Sequence, residues 1–531
     1  MKFPIARMAG VAILAAALAG CGAAGTSTTT GGATKAATTA SASSAQRVLV
    51  YQEISTGNAK VPAFTTDGED LDMEDQIYDS LLTYNPKTLK IEPSLATSYT
   101  VGPNGKTWTF QLRHGVQWQR GFGTFTCADV KFTWDFNKNP ANHSFWQSSA
   151  AIVSSVSCPN PYEAVIHLTA PFQGFIWNVV NVQPNTGLIM SKAAWQKLGK
   201  AGYEKTPVGT GPFMLKSIVP NQDVILVANP TYWGPKPWAS ELDFKVITDS
   251  ATAALAVKSG QVDMAIIDPL TAQEYAKTPG VKVISSPTLD ISQLELNELV
   301  KPFNNVLVRQ AVRYAIDYPA LVQTVLRGYG SPGYQGMLLP QETGFSASVN
   351  HLNVYDPAKA KQLLKEAGVK LPITGFFTTY NDTVDMNAAQ YVAANLKAVG
   401  IDLQGRPLER GTLNQERALP TTPAVVLNST LSPDPNFLLI REVGTQAPPK
   451  GLTFTRYPGI NQLYQQQLNA PTVAARAAIL KQIQSKLAAD APSIELMVMD
   501  NVYLVNDRVQ GFVPTPLYSG PFLRNVSLSG S

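Results

Sequence analysis

The sequence predicts an α/β fold with two or three domains. Short runs rich in β-branched and aromatic residues, which predict strands, alternate along the chain with segments in which apolar residues recur at helical spacing. The 531 residues are 44% hydrophobic and 15% charged, an ordinary soluble balance that is sufficient for sizeable cores. Strands that alternate with helices are typical of the α/β class.

The first predicted elements follow one another closely. Val48–Tyr51 is a β-branched run that predicts a buried strand, and the apolar spacing over Met73–Leu82 predicts a helix. Trp108–Leu112 alternates as a strand does. Thr126 is typical of a helix N-cap, so an amphipathic helix is expected to begin at Cys127.

The remaining elements continue this alternation. Gly209–Pro212 predicts a rigid tight turn rather than a phosphate-binding loop, because it lacks the third glycine and the following helix. In Val306–Ile316 the apolar residues share one helical face, with Arg309 and Arg313 beside it as solvated or salt-bridged residues. Further strands and helices are expected over Val165–Leu168, Phe213–Leu215, Tyr391–Val399, Ile401–Leu403 and Arg476–Leu487.

The chain begins with an export signal. Lys2 and Arg7 precede the short apolar run Val11–Leu18, which is too short to span a bilayer. The ending Leu18-Ala19-Gly20-Cys21 resembles the bacterial lipobox, so Cys21 is expected to be lipidated; an ordinary cleaved signal with an incidental cysteine is the alternative. Residues 22–45 are almost entirely Gly, Ala, Ser and Thr and predict a disordered tether.

Composition and motifs argue against several function classes. The net charge is only +4 and the basic residues are scattered, so a nucleic-acid partner is not expected. No Gly-x-Ser-x-Gly, His-Glu-x-x-His, Cys-x-x-Cys or phosphate-loop motif occurs, and the four histidines, His114, His143, His167 and His351, are far apart. We therefore expect a binding protein without catalytic residues, cofactor or metal rather than an enzyme.

Only two cysteines follow Cys21. Cys127 and Cys158 fall within one predicted domain of an exported chain. Export to an oxidising compartment favours a disulfide between them, while two buried free thiols are the alternative.

Several short sequence motifs along the chain also occur, in the same order, in one known family. They are Ile91–Tyr99, Asn104–Val116, Thr126–Val130, Pro207–Phe213, Asn229–Gly234, Pro302–Asp317 and Tyr355–Gly368. Together they resemble the family 5 extracellular solute-binding proteins, the peptide and nickel receptors of bacterial ABC importers. The resemblance covers residues 46 to about 515.

This resemblance implies a two-lobed, class II periplasmic-binding-protein-like fold with an inserted subdomain in the first lobe. Lobe one would comprise 46–75, 205–290 and 500–531, the insert 76–204 and lobe two 291–499. The ligand would sit in a cleft between the lobes, and the lobes would close around it.

The segments that select the ligand differ from those of dipeptide receptors in the family. Their Arg-Pro-Tyr-Asn phrase, whose arginine holds the ligand carboxylate, corresponds here to Thr378-Thr379-Tyr380-Asn381. Leu431 stands where they carry the aspartate that pairs with the ligand amine, unless a small shift brings Asp434 into that role. We therefore expect an uncharged or backbone-recognised solute, which could be an oligopeptide, a sugar or a metal chelate.

The resemblance gives a set of candidate ligand contacts. For Tyr380 a packing role within lobe two is the alternative to ligand contact. The set is Glu53, Asn297, Tyr380, Asn428, Ser429, Thr430 and Asp434.

The predicted function is that of a monomeric solute-binding receptor of an ABC importer. It would be lipid-anchored on the extracytoplasmic face of a bacterial membrane and would deliver its solute to a permease and ATPase complex. Two alternatives from other classes are a surface sensor or adhesion protein on the same fold, and a lipid-anchored enzyme.

Overall fold

A computed structural model describes residues 47–57, 60–65, 68–182, 185–430, 432–436, 438–439, 454–517 and 521–530. Four sequence predictions lie outside these described residues. They are the signal peptide 1–21, the lipid anchor at Cys21, the tether 22–45 and the replacement of a family aspartate by Leu431.

The strands are numbered in chain order. They are β1 Val48–Glu53, β2 Leu82–Tyr84, β3 Ile91–Pro93, β4 Ala96–Val101, β5 Thr107–Leu112, β6 Val153–Asn160, β7 Glu163–Leu168, β8 Asn181–Val182, β9 Asn185–Thr186, β10 Phe213–Val219, β11 Asp223–Ala228, β12 Glu241–Val246, β13 Met264–Ile266, β14 Val281–Leu296, β15 Gly330–Pro332, β16 Ile373–Tyr380, β17 Ile401–Leu408, β18 Ala424–Thr430, β19 Ser493–Asn506, β20 Val509–Gln510 and β21 Ser527–Leu528.

The α-helices are numbered in the same way. They are α1 Gly68–Ile77, α2 Cys127–Lys138, α3 Gln147–Ala150, α4 Lys192–Lys205, α5 Ser250–Ser259, α6 Pro269–Tyr275, α7 Val306–Tyr314, α8 Tyr318–Val325, α9 Pro357–Glu366, α10 Thr383–Lys397, α11 Arg410–Ala418, α12 Asn461–Leu468 and α13 Val473–Asp490. Apart from the helix expected over Met73–Leu82, these bounds confirm the strands and helices expected from the sequence.

Most of the described strands join one mixed sheet. Its order is β10-β11-β12-β1-β13-β19-β14-β18-β16-β17, with β15 added against β19. In one half, β1 runs parallel to β12 and β13, and in the other half β16 runs parallel to β17 and β18. The long strands β14 and β19 run antiparallel through the middle and connect the two halves.

A second sheet lies within the predicted insert. Its order is β4-β5-β7-β6. A disulfide joins Cys127, the first residue of α2, to Cys158 in β6. The structure therefore confirms the predicted disulfide and excludes the alternative of two free thiols. The lobe boundaries themselves stay a prediction.

The helix expected over Met73–Leu82 ends earlier, at Ile77. The carbonyl of Ile77 accepts hydrogen bonds from the N–H of Gly211 at 2.9 Å and from Nε2 of Gln119 at 3.2 Å. These bonds take the place of the next helical ones. A side chain at Gly209 would meet the same carbonyl oxygen at 1.8 Å, so the predicted tight turn needs glycine for this close approach.

The two arginines of α7 are buried rather than solvated. Arg309 forms an ion pair with Glu298 at 3.0 Å and also donates to the carbonyl of Phe303 at 2.9 Å. Arg313 donates to the carbonyl of Ala488. Of the two expected environments, the salt-bridged one holds for Arg309, whereas Arg313 is buried and donates through Nη1 to a backbone carbonyl.

Candidate functional site

The candidate site lies where strands from the two halves of the main sheet end opposite each other. β13, the neighbour of β1, ends at Ile266. Ile266 pairs with Tyr503 of β19, and Tyr503 pairs in turn with Ile284 of β14. From the other half, β18 ends with Thr430 in register with Asp290 of β14. The carboxyl ends of β1 and β18 thus point toward the same middle stretch of β14. Crevices outside the carboxyl ends of strands are the usual ligand sites of α/β sheets.

The size of this gap follows from the strand register. Six positions of β14 separate Ile284 from Asp290, which corresponds to roughly 20 Å at about 3.3 Å per residue. Within this stretch the pairing of β14 with β19 is irregular between Pro287 and Ile291. The gap is therefore long enough for an extended ligand and lies over the irregular part of the connecting strands.

Four of the predicted contacts lie together on one side of this gap. Tyr380 ends β16, and residues 428–430 end the neighbouring parallel strand β18. Asn428 is half-buried, while Ser429 is buried and its Oγ accepts a hydrogen bond from Nε2 of Gln293 at 3.3 Å. The side chain of Thr430 is outside the described part of the structure. These four predicted residues therefore lie together at strand ends, and their contact with a ligand stays a prediction.

Tyr380 has the packing environment that the sequence left open. Its ring is buried with Leu413, Val425 and Phe454 in a small apolar cluster. The guanidinium of Arg410 lies over the ring, 4.8 Å from its centroid. Packing thus accounts for the burial of Tyr380, whether or not the ring also meets a ligand.

Arg410 lies beside the candidate site and was not identified from the sequence. It is exposed and is the first residue of α11, just beyond the carboxyl end of β17. The available signal was its position two residues after a strand parallel to β16. The chain thus carries an exposed cation beside Tyr380, although Thr378, in the place of the family arginine, is wholly buried and uncharged.

The structure sets Asn297 apart from the other candidates. Asn297 follows β14, and its Nδ2 donates to the carbonyls of Pro420 at 3.1 Å and Thr422 at 2.9 Å. Both acceptors precede β18, so Asn297 lies at the end of β18 opposite to Thr430. Its side chain is wholly buried and fastens the loop before β18, and this arrangement does not support ligand contact.

Asp434 is committed to an ion pair. Its Oδ1 accepts from Nη2 of Arg476 at 2.7 Å and its Oδ2 accepts from Nη1 of the same arginine. Both side chains are buried. Two parallel bonds of this kind form the strongest common arrangement of arginine with a carboxylate. The contacts of Asp434 therefore favour a structural role over the ligand contact expected from a shifted alignment.

Glu53 lies alone on the other side of the gap, at the carboxyl end of β1. Its side chain is buried, and the carboxyl group of Asp72 in α1 lies close enough to influence its pKa. Burial, reinforced by the charge of Asp72, raises the pKa of Glu53 well above its ordinary value. Burial also raises the pKa of Asp72 to about 7, with the charge of Glu69 as a further cause. Acidic side chains therefore dominate this end of the gap.

None of the helices in the described residues combines the length and the apolar character needed to cross a bilayer. Nor do the His, Cys, Asp and Glu side chains of these residues form any group of three or more that could hold a metal ion.

These features define a class of protein: an α/β chain whose two half-sheets meet over connecting strands and leave a ligand-sized gap at opposed strand ends. Residues 90–446 match the family described as "Bacterial extracellular solute-binding proteins, family 5 Middle". The chain belongs to this family of extracellular solute-binding proteins. The resemblance noted in the sequence is thereby confirmed.

Individual relatives agree with this assignment. A Brucella ovis protein named as an ABC transporter peptide-binding protein is 28% identical over 460 residues, covering 83% of this chain and 85% of that protein. The glutathione-binding protein GsiB of Shigella boydii is 33% identical over 334 residues, covering 61% of this chain and 62% of GsiB. Relatives of this family are binding proteins of ABC transporters, not enzymes.

A solved structure shows the same fold. The periplasmic binding protein DppA of Helicobacter pylori, in complex with the peptide STSA, has a TM-score of 0.75 and 26% identity. The alignment covers 91% of this chain and 98% of DppA. The predicted class II periplasmic-binding-protein fold is thus confirmed.

Proposed function

We propose that this chain is the receptor of an ABC importer that captures a peptide-like solute in the gap between its two half-sheets. The observation that carries the proposal is the pair of opposed strand ends, Glu53 on one side and Tyr380 with residues 428–430 on the other. A gap of roughly 20 Å, at about 3.3 Å per residue, suits an extended chain of several residues. The names of the relatives, which refer to peptides and glutathione, support this ligand class.

The proposal includes closure of the two halves around the ligand. The irregular pairing between Pro287 and Ile291 lies in the strands that connect the halves. Bulged pairing bends a strand and leaves backbone groups outside the regular ladder, which makes this stretch the natural hinge. Closure around the solute would present a distinct form of the receptor to the permease.

The proposal also includes a lipid anchor at Cys21 and a flexible tether over 22–45. The support is the apolar run that ends in Leu18-Ala19-Gly20-Cys21. Replacement of Cys21 by Ala is expected to give unprocessed precursor or protein released from the membrane. Fractionation of cells that express each form measures this, and wild-type levels of the variant in washed membranes would contradict the anchor.

A ligand screen tests the central proposal. The purified protein, residues 22–531, is heated with pools of oligopeptides, with sugars and with metal chelates, and its unfolding temperature is measured. A ligand present at 100 times its dissociation constant stabilises the folded state by about 2.7 kcal/mol. We expect the peptide pools to raise the unfolding temperature. Stabilisation by sugars or chelates alone would refute the peptide-like ligand class.

The charge of the bound peptide can be tested in the same protein. Because Thr378 offers no positive charge, amidation of the peptide carboxylate is expected to change the dissociation constant by less than about threefold, which is below the cost of losing a hydrogen bond to a charged group. Titration calorimetry with matched acid and amide peptides measures this. A tenfold preference for the acid that disappears in Arg410→Ala would assign the carboxylate to Arg410 instead.

A further inference from the structure

The end of β1 carries a buried carboxylate with an open hydrogen-bonding position. Glu53 is only 6% exposed, and its Oε1 has no hydrogen-bond partner among the described residues. Asp72 is an acidic neighbour of this carboxyl group. A buried carboxylate oxygen without a partner is costly, so a group that binds it would recover a large part of that cost.

The neighbours of Glu53 add negative rather than positive charge. Asp72 and Glu69, both from α1, act on Glu53 as like charges. Lys60, the lysine of the preceding segment, is instead paired with Asp70 at 3.3 Å and donates to the carbonyl of Thr56 at 2.8 Å. Lys60 therefore does not neutralise the carboxyl groups of Glu53, Asp72 and Glu69.

The rim of the cluster is apolar. Ile54, which follows Glu53 directly, is 55% exposed, and Ile266 at the end of the adjacent strand β13 is 42% exposed. Aliphatic side chains at the mouth of a ligand gap suit the hydrocarbon part of a ligand, while the few polar groups fix its orientation.

We infer that Glu53, Asp72 and Glu69 bind an organic cation, an ammonium or guanidinium group carried by the solute, with Ile54 and Ile266 against its aliphatic part. The inference rests on the proposed function and names the charge that its ligand carries. An ammonium group has three donors and a guanidinium five, so either can reach Oε1 of Glu53 and a neighbouring carboxylate together. The described residues hold no group of three ligands suited to a metal ion, which favours an organic cation.

The acidic residues Glu53, Asp72 and Glu69 lie in a different part of the fold from the aspartate that holds the ligand amine in the dipeptide receptors. In the dipeptide receptors the ligand amine pairs with an aspartate in lobe two, and Leu431 stands in that place here. The acidic residues at the end of β1 lie in the opposite half of the main sheet. A positively charged ligand end would therefore lie at β1 rather than at β18.

Two isosteric variants, Glu53→Gln and Asp72→Asn, test this inference. Each keeps the side-chain volume and removes one ionisable carboxyl group. Glu274→Gln is the matched control, because Glu274 is an exposed residue of α6 in the same half of the sheet. The probes are agmatine, compared with sodium chloride at equal ionic strength, and tetraalanine, compared with its N-acetylated form.

The expected result is selective loss of cation binding. Agmatine should raise the unfolding temperature of the wild type and of Glu274→Gln but not of Glu53→Gln. Tetraalanine should bind the wild type about 10- to 100-fold more tightly than its acetylated form, as expected for a hydrogen bond to a charged group. That preference should shrink to less than about threefold in Glu53→Gln, where a neutral hydrogen bond is all that remains.

The ligand-free unfolding temperature separates binding from folding. Because burial disfavours the charged form of Glu53 and Glu53→Gln replaces it with a neutral side chain of the same size, the free variant should be at least as stable as the wild type. An agmatine shift that persists in Glu53→Gln, or no agmatine shift in the wild type, would overturn the cation site. A wild type that responds to agmatine but to no peptide would retain the site and refute the peptide-like ligand.

Discussion

The ion pair between Asp434 and Arg476 gives the sharpest test of the site assignment. The two side chains are 8% and 3% exposed, so truncation of either one leaves a buried charge. Arg476→Ala leaves the carboxylate of Asp434 with the N–H of Asn436, 2.9 Å away, as a hydrogen-bond donor. Loss of one partner of a buried pair costs about 3–5 kcal/mol, and we expect Arg476→Ala to lower the free energy of unfolding by that amount.

Asp434→Ala should cost less than Arg476→Ala. The freed guanidinium keeps its hydrogen bond to Oε1 of Gln467 at 2.8 Å and its position 5.3 Å from the centroid of the Phe172 ring. The double variant should cost less than the sum of the two single variants, because neither buried charge is then left alone. Urea denaturation of the ligand-free proteins, followed by tryptophan fluorescence, measures all three.

A control on the same helix isolates burial as the cause. Lys486 pairs with Asp490 at 3.2 Å on the exposed side of α13, and exposed pairs of this kind contribute about 0–1 kcal/mol. Lys486→Ala should therefore have little effect. The structural role of Asp434 is refuted if Asp434→Ala keeps full stability but loses peptide binding, because an aspartate that contacts the ligand would give that combination.

Two other predictions concern stability. Replacing both Cys127 and Cys158 by Ala opens a loop with a sequence separation of 31 residues and should lower the free energy of unfolding by about 3–4 kcal/mol; a loss below about 1 kcal/mol in urea denaturation would contradict this estimate. Burial raises the pKa of Asp385 to about 8 from an ordinary 3.8. The native state then binds more protons than the unfolded state between these values, so the free energy of unfolding should fall as the pH rises from about 4 to 8. In Asp385→Asn that slope should be shallower by up to about 1.4 kcal/mol per pH unit, and an unchanged slope between pH 5 and pH 8 would refute the shift.

Local signals in the sequence were sufficient for most elements. Thr126 caps α2 as expected, accepting the N–H of Ala128 at 3.3 Å with its side chain. The apolar face of α7, including Val308 and Val312, is wholly buried. Caps, turns and apolar periodicity depend on residues within a few positions of one another, so they can be identified without knowledge of the tertiary fold.

The sequence was less informative where distant segments meet. The end of α1 at Ile77 is set by Gln119 and Gly211, which belong to remote parts of the chain. Asn297 lies in a segment expected near the ligand, but strand register carries it to the far end of β18. Arg410 reaches Tyr380 from the start of α11, beyond the end of β17. Such contacts depend on sheet order and register, which composition and local spacing do not determine.

The same register predicts how affinity depends on peptide length. The acidic residues at the end of β1 and the exposed Arg410 near Tyr380 lie in opposite halves of the main sheet. Along β14, roughly 20 Å separates the position that faces the end of β1 from the position that faces the end of β18, and an extended peptide covers about 3.3 Å per residue. A dipeptide bound at Glu53 cannot reach the other side unless the halves close considerably, whereas a peptide of about six residues can. Titration of an alanine series from two to eight residues should therefore show affinity that rises up to about six residues, and equal affinity for the dipeptide and the hexapeptide would show that the ligand contacts one half only.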